Sequence, residues 1–576
     1  MSNFPSPIRR FFSLLALEKK EIVTIYFFSG LSGLIYLSLP LGIQSIINLL
    51  FGGLVSTSLV VLIGVVLAGV FLNGWLEILQ MRVNERIQRR IFTRFSMQFA
   101  YKIPRIDLIS VDDYYLPELV NRFFDTASLQ KGLSKVLLDF PAAIVQIIFG
   151  VALLSFYNAW FLFLGLLLIF VVIMIIWLSY NRGIRTSLAE SDYKYEVGYW
   201  LEEVARTVKI IKFMGMTDYP IRRADRLVSG YLDARREHFN VLIFQYWAFV
   251  FFKIAITAAL LIMGSVLVIE QQINLGQFIA SEIVILLLLN SIEKLIGSLD
   301  VVYDMLTSLE KVNYLLDKPM ERTGGLNILE VCQTEGLSVR AENLSYRYSD
   351  GDKLILHDIN FEINAGEKVC IFGTQGSGKT TLLRLLTGAY MNFEGKLLIN
   401  EYPIGNYDLK LLRQEIGVYL ASADLFSGTL LENLTLGDET ITHQFIFETA
   451  SHTGLLPYIQ SLREGLYANI DSAGKKLPRN VVNKILLTRA LLTKPKLLLL
   501  EDCWSGLELA EQENMINYLT GESCKTTLIA ITNDELFASR CNKIILLENG
   551  TVSAVGSFEE VRATSSYKRM FKLLSL

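Results

Sequence analysis

The residues Gly373-Thr374-Gln375-Gly376-Ser377-Gly378-Lys379-Thr380-Thr381 have the types and spacing to hold a phosphate chain. Glycines let backbone N–H groups turn inward around phosphate oxygens, and a helix N-terminus adds partial positive charge. Lys379 stands where an ammonium reaches β- and γ-phosphates, and the Thr380 hydroxyl can ligate Mg²⁺. The flanks agree. Residues 368–372 form an apolar run that reads as a buried strand, and residues 381–387 carry a helical pattern that Gly388 can end. Strand, glycine loop and helix are the context that G-x-x-x-x-G-K-[ST] needs. The chain is therefore expected to bind a nucleoside triphosphate. Further on, an apolar strand at 496–500 ends in Glu501 and Asp502. One acid there can hold Mg²⁺ and the second can orient an attacking water. Tyr348 lies 25 residues before Gly373. Its ring can stack on an adenine or pack in the core. The strand at 527–532 leads into Asn533, and 543–550 reads as a strand and an Asn-Gly hairpin turn.

A long membrane part must position this soluble site. The 576 residues are 52% hydrophobic and 19% charged, with mean hydropathy +0.39, a balance typical of membrane proteins. The net charge of −3 gives no sign of a nucleic-acid partner. All five cysteines fall in the second half without a C-x-x-C, as free thiols in a reducing compartment would. Six apolar spans have bilayer length, at roughly 22–48, 57–80, 137–157, 160–180, 241–269 and 275–298. The first is too long for a cleavable signal peptide. Loops 49–56, 158–159 and 270–274 lack Lys and Arg, whereas the N-terminal tail and the segments 81–136 and 181–240 are basic. The positive-inside rule then puts both termini and both long connections in the cytosol. Those connections keep helical periodicity and read as span extensions, with tips near 111–118 and 213–218. Glu77, Lys253 and Glu282 fall inside spans, and depth along the helices favours a Glu77–Lys253 pair. The fold class expected is an α-helical six-span transmembrane domain followed by an α/β P-loop nucleotide-binding domain. The boundaries are a tail at 1–20, the membrane domain at 21–320, a linker at 321–336 and the nucleotide-binding domain at 337–576.

Taken together, the six spans with cytoplasmic extensions, the P-loop and Leu497-Leu498-Leu499-Leu500-Glu501-Asp502 resemble an ATP-binding-cassette (ABC) exporter half-transporter of the type I exporter fold. Matching pieces include Leu425-Phe426-Ser427-Gly428-Thr429, Glu432-Asn433 and Thr488-Arg489-Ala490-Leu491-Leu492, and the likeness covers nearly the whole chain. The resemblance implies ATP and Mg²⁺ as cofactors. It implies Thr380 and Glu501 at the metal, Asp502 and Asn533 at the catalytic positions, and the extension tips as coupling helices. It also implies dimerisation, as a homodimer or with a second half-transporter, so that each ATP lies between one P-loop and the other chain's signature loop. The setting is a bacterial inner membrane, with a periplasmic adaptor in some members. With about 20 residues before the first span, no cysteine-peptidase domain is expected.

The chain also departs from the family pattern. The Leu-Ser-Gly-Gly-Gln signature falls on Leu477-Pro478-Arg479-Asn480-Val481. Pro478 supplies neither a hydroxyl nor a backbone N–H. The usual glutamine is Ala421, the switch histidine is Asn533, and the Asp-Glu pair is reversed to Glu501-Asp502. Arg479 reads either as an arginine finger on a γ-phosphate or as a solvated side chain. Two functions follow: an exporter of peptide, protein, lipid or hydrophobic compound with slow hydrolysis, or an ATP-binding scaffold without turnover that regulates a membrane partner.

Overall fold

The computed structural model describes residues 7–51, 57–215, 217–348, 351, 353–422, 424–504, 507–522 and 524–574. The chain divides into two compact units. Met1–Arg105 with Tyr114–Lys318 forms the first, and Ile106–Asp113 with Pro319–Leu576 the second.

The first unit is helical: α1 (Pro7–Leu17), α2 (Lys19–Tyr36), α3 (Ser38–Phe51), α4 (Thr57–Lys102), α5 (Leu116–Asn121), α6 (Asp125–Tyr157), α7 (Ala159–Arg206), α8 (Val208–Phe213), α9 (Tyr219–Ile269), α10 (Leu275–Gly297) and α11 (Leu299–Leu316). Among the described residues, six segments are long and apolar enough to span a bilayer. The 51 residues of α9 rise about 75 Å, over twice the ~30 Å hydrocarbon thickness, so the helix continues well past the membrane. Short loops without Lys or Arg end these hairpins with polar caps. Asn158 accepts from Trp160 N at 3.0 Å, and Asn274 forms a capping box with Gln277. The first span is broken between α2 and α3. Pro40 has no N–H to donate to the Tyr36 carbonyl one turn back, and α2 ends at Tyr36.

The expected Glu77–Lys253 pair does not form. Lys253 Nζ donates to Glu293 Oε2 at 2.7 Å, and the Tyr246 hydroxyl donates to Glu293 Oε1 at 3.2 Å. Glu77 accepts from Asn73 Nδ2 on its own helix at 2.9 Å. Rise per residue fixes depth but not facing. Glu293 sits at a depth like that of Lys253 on the other arm of the α9–α10 hairpin, and it points toward the lysine.

Among the described residues, the second unit carries twelve strands: β1 (Val339–Tyr346), β2 (Leu356–Ile363), β3 (Lys368–Gly373), β4 (Glu394–Ile399), β5 (Tyr402–Pro403), β6 (Ile416–Tyr419), β7 (Gly428–Thr429), β8 (Asn469–Ile470), β9 (Leu497–Glu501), β10 (Thr527–Ile531), β11 (Lys543–Glu548) and β12 (Thr551–Gly556). A four-stranded antiparallel sheet runs β2-β1-β4-β5, and a six-stranded sheet runs β12-β11-β3-β10-β9-β6. In the larger sheet β11, β3, β10, β9 and β6 are parallel, and β12 returns antiparallel through the turn at Asn549 and Gly550. Every residue of β3 and β10 is buried, as continuous apolar runs in a parallel sheet with both faces covered require. The order β3-β10-β9 sets the strand ends Gly373, Ile531 and Glu501 side by side. Ligands of open α/β sheets bind at the carboxyl ends of the strands.

Candidate active site

β3 ends at Gly373, and the helix Lys379–Leu386 begins six residues later. Between them Gly376 and Gly378 take φ of +78° and +95°, conformations that cost a side-chain-bearing residue free energy. A Cβ on Gly378 would lie 2.6 Å from Leu356 Cδ2. Ser377 is buried and its N–H donates to the Thr374 carbonyl at 3.2 Å, whereas Gln375 is exposed. Lys379 Nζ bends back over this loop and donates to Gly373 O at 2.8 Å and Thr374 O at 2.7 Å. Burial lowers its pKa, and the nearby Glu501 and Asp502 charges oppose that shift. This ammonium already lies at the loop mouth on weak neutral acceptors, which phosphate oxygens can replace.

The metal side lies across β10. Thr380 Oγ1 donates to Glu501 Oε1, and the Ala421 backbone N–H donates to Glu501 Oε2 at 3.2 Å. A hydroxyl and a carboxylate in contact, next to a phosphate-binding loop, make a hard-oxygen donor set of the kind Mg²⁺ takes together with phosphate oxygens. The residues fit the ion.

Asp502 follows at φ +47°, the left-handed region where Asp and Asn are several-fold enriched among non-glycine residues. Its N–H donates to the Ile531 carbonyl at 2.8 Å. Burial, then the adjacent Glu501 charge, raises its carboxyl pKa, and Lys379 acts in the opposite sense. The Glu501-Asp502 order thus gives the left-handed position to a residue type that tolerates it.

Asn533 accepts from the Gly373 N–H at 3.4 Å, so the residue after β10 touches the start of the loop. Tyr348 bonds the Thr381 hydroxyl at 3.1 Å and meets Tyr346 and Tyr390 edge-on, with centroids 5.1 and 5.6 Å apart. A cavity of about 370 Å³ opens beside it, lined by Tyr346, Arg347 and Asn392 among others. Pro478 caps the helix Arg479–Leu492 without a side-chain hydrogen bond.

Two contacts were not foreseen. Ala421 serves through its backbone N–H, which no residue identity announces. Tyr390 joins the aromatic cluster and donates to Asp112 Oδ1 at 3.0 Å. Ile109 packs against the same core, so the segment Ile106–Asp113 belongs to this unit.

The fold and site define a multi-pass membrane protein carrying an ATP-binding cassette. Residues 22–292 match the ABC transporter transmembrane region, and residues 356–505 match the ABC transporter family model. Together these two ABC transporter models cover more than half of the chain, and the chain belongs to the ABC transporter family. It is 28% identical over 377 residues to the alpha-hemolysin translocation ATP-binding protein HlyB of Escherichia coli O157:H7, covering 65% of this chain and 53% of that one. The chain therefore spans about half the length of that relative. It is 27% identical over 405 residues to YgaD of Bacillus subtilis, an ATP-binding/permease protein named for multidrug export, covering 69% and 68%. A bacterial Atm1-family ABC exporter with ATP bound shares the fold at TM-score 0.83 and 18% identity, covering 97% of this chain and 99% of that one.

Proposed function

We propose that this chain is an ATP-driven exporter that works as a dimer, with itself or with a second half-transporter, and hydrolyses ATP slowly. One observation carries the reading: Thr380 and Glu501 are in contact, with Asp502 beside them and Lys379 at the loop mouth. Residues 373–381 hold the triphosphate, and Tyr348 faces the adenine. Thr380 and Glu501 hold Mg²⁺, which when bound supplies charge neutralisation at the phosphates. The Asp502 carboxylate orients the attacking water and accepts its proton. Asn533 holds the loop through Gly373 N–H and stays neutral.

Slow turnover follows from what this chain lacks. Pro478 brings no N–H to a partner's phosphate, Ala421 has no side-chain amide, and Asn533 cannot become cationic. The membrane domain at 21–320 carries the cargo path, and the cassette at 337–576 follows the linker at 321–336. The charge asymmetry of the loops supports cytosolic termini, and the likeness to bacterial ABC transporters supports a bacterial inner membrane. The cargo is a polypeptide, a lipid or a hydrophobic compound; a relative named for alpha-hemolysin translocation favours the first and one named for multidrug export the last, and an adaptor outside the membrane suits the first.

ATP hydrolysis by the purified chain in lipid tests this. Wild type turns over, and Lys379→Ala and Asp502→Asn fall to background. Wild type that binds ATP through Lys379 without hydrolysing it would overturn the homodimeric pump and require a partner with ordinary catalytic elements.

A further inference from the structure

Three of the positions that depart from the family pattern touch one another. Glu501 spends one oxygen on Thr380 Oγ1 and the other on Ala421 N–H at 3.2 Å. The carbonyl of the same Ala421 accepts from Arg479 Nη2. The other terminal nitrogen, Arg479 Nη1, lies 3.8 Å from Asp424 Oδ1. Around this link the chain is pinned independently. Ala473 N donates to Leu425 O at 2.8 Å, and Phe426 N donates to Asn433 Oδ1 at 3.1 Å. Glutamate is one methylene longer than aspartate, which gives the carboxylate the span to hold Thr380 and Ala421 together. Ala421 has no polar side chain, so its donor to that carboxylate is a backbone N–H. The direction of a backbone N–H is set by whatever fixes its own residue, and Arg479 grips that residue from its carbonyl side.

We propose that Arg479 is a positioning residue for Glu501, acting through Ala421 within one chain. The proposal rests on Glu501 being the metal-side carboxylate. Arg479 thereby ties the start of the helix Arg479–Leu492 to the metal side of its own chain's site. With its two terminal nitrogens turned to Ala421 and Asp424, the guanidinium is committed in cis rather than extended toward a partner's phosphate. The departures at 421, 479 and 501 act as one unit: the longer acid reaches a backbone donor, and the arginine holds that donor in place. Groups that orient a metal ligand are worth about 10–100-fold in metal affinity.

The test uses the full-length chain in lipid with the fluorescent probe trinitrophenyl-ATP, bound once in EDTA and once across a MgCl₂ titration. Affinity in EDTA reports the phosphate loop and the fold. The Mg²⁺ concentration giving half of the metal-dependent change reports the Glu501 side. For Arg479→Ala the EDTA affinity stays at the wild-type value, and the Mg²⁺ midpoint rises about tenfold. Arg479→Lys recovers part of that shift, because one donor still reaches the Ala421 carbonyl. An Arg479→Ala midpoint within twofold of wild type overturns the proposal. So does an equal loss of affinity in EDTA and in Mg²⁺, which would place the arginine on a phosphate. Glu501→Gln separates the two levels. If it leaves the Mg²⁺ dependence intact, the metal-side assignment itself fails, and the Arg479 proposal fails with it.

Discussion

The two sides of the nucleotide site are held by different means. The phosphate side is made of backbone: a loop between β3 and the helix Lys379–Leu386, two left-handed glycines, and a lysine bonded to loop carbonyls. The metal side is made of side chains reaching across: Thr380 to Glu501, Glu501 to Ala421, and Arg479 to Ala421. A backbone cradle has few substitutes, because a Cβ at Gly378 meets Leu356 and the Ile355 carbonyl. A side-chain web can be rebuilt from other residue types when charge and reach are kept. Ala421, Arg479 and Glu501 all lie on the second side, in line with that difference.

The largest effect that would sharpen this contrast is at Asp502. Asp502→Asn keeps the shape and removes the proton acceptor. Turnover should fall by about 10²–10⁴ with nucleotide affinity retained. The wild-type rate should also fall on acidification. Burial and Glu501 raise the Asp502 pKa, so the carboxylate is present above that raised value and is lost as pH drops through it. The acid limb therefore lies above the ordinary aspartate range, and the Asn variant lacks it. A wild-type pH–rate profile with no such limb would remove Asp502 from the role of base.

On the phosphate side, Lys379→Ala removes the ammonium that bonds the loop carbonyls. A hydrogen bond from a charged group is worth about 2 kcal/mol, or roughly thirtyfold in ATP affinity. The loss should be the same in EDTA and in Mg²⁺, unlike any change on the metal side. A loss confined to Mg²⁺ conditions would show that the two sides are not separable.

Next in size is Glu501→Asp, which restores the ordinary acid but shortens the arm. It cannot hold both Thr380 and Ala421 at the present spacing. We expect about a tenfold rise in the Mg²⁺ needed for turnover, with ATP binding in EDTA unchanged. An aspartate that works as well as the glutamate would mean that the longer reach is not what holds this side together.

The same contrast explains what could be read from the sequence. Backbone loops advertise themselves through glycine spacing and flanking periodicity, so residues 373–381, the strands around them and the six spans were legible. Glu501 and Asp502 were legible because they end an apolar strand. The contact from Ala421 was not, because any residue but proline carries that N–H. Arg479 could be placed by alignment to the signature motif, but its direction depends on Ala421 and Asp424, which are far from it in sequence. The Glu77–Lys253 pairing failed for a related reason. Sequence gives depth along a helix, whereas partner choice depends on rotation about its axis, and Glu293 on α10 holds the facing that Glu77 lacks.

The smallest effect lies at the edge of the cassette, where a side-chain contact joins the segment Ile106–Asp113 to the aromatic cluster. Tyr390 donates to Asp112 Oδ1 at 3.0 Å while its ring packs against Tyr346 and Tyr348. Tyr390→Phe keeps the ring and deletes the donor. Asp112 is exposed, so water replaces the lost hydroxyl and the net cost is about 1 kcal/mol. Amide hydrogen exchange over 106–113 should then speed up roughly fivefold, while the P-loop amides and the ATP affinity stay as in wild type. Ile109, packed into the core, keeps the segment attached in this variant, and Ile109→Ala on top of Tyr390→Phe should release it further. If Tyr390→Phe instead weakened ATP binding tenfold or more, the aromatic cluster would be part of the phosphate-side cradle. The division between a backbone-built side and a side-chain-built side would then have to be redrawn around Tyr348.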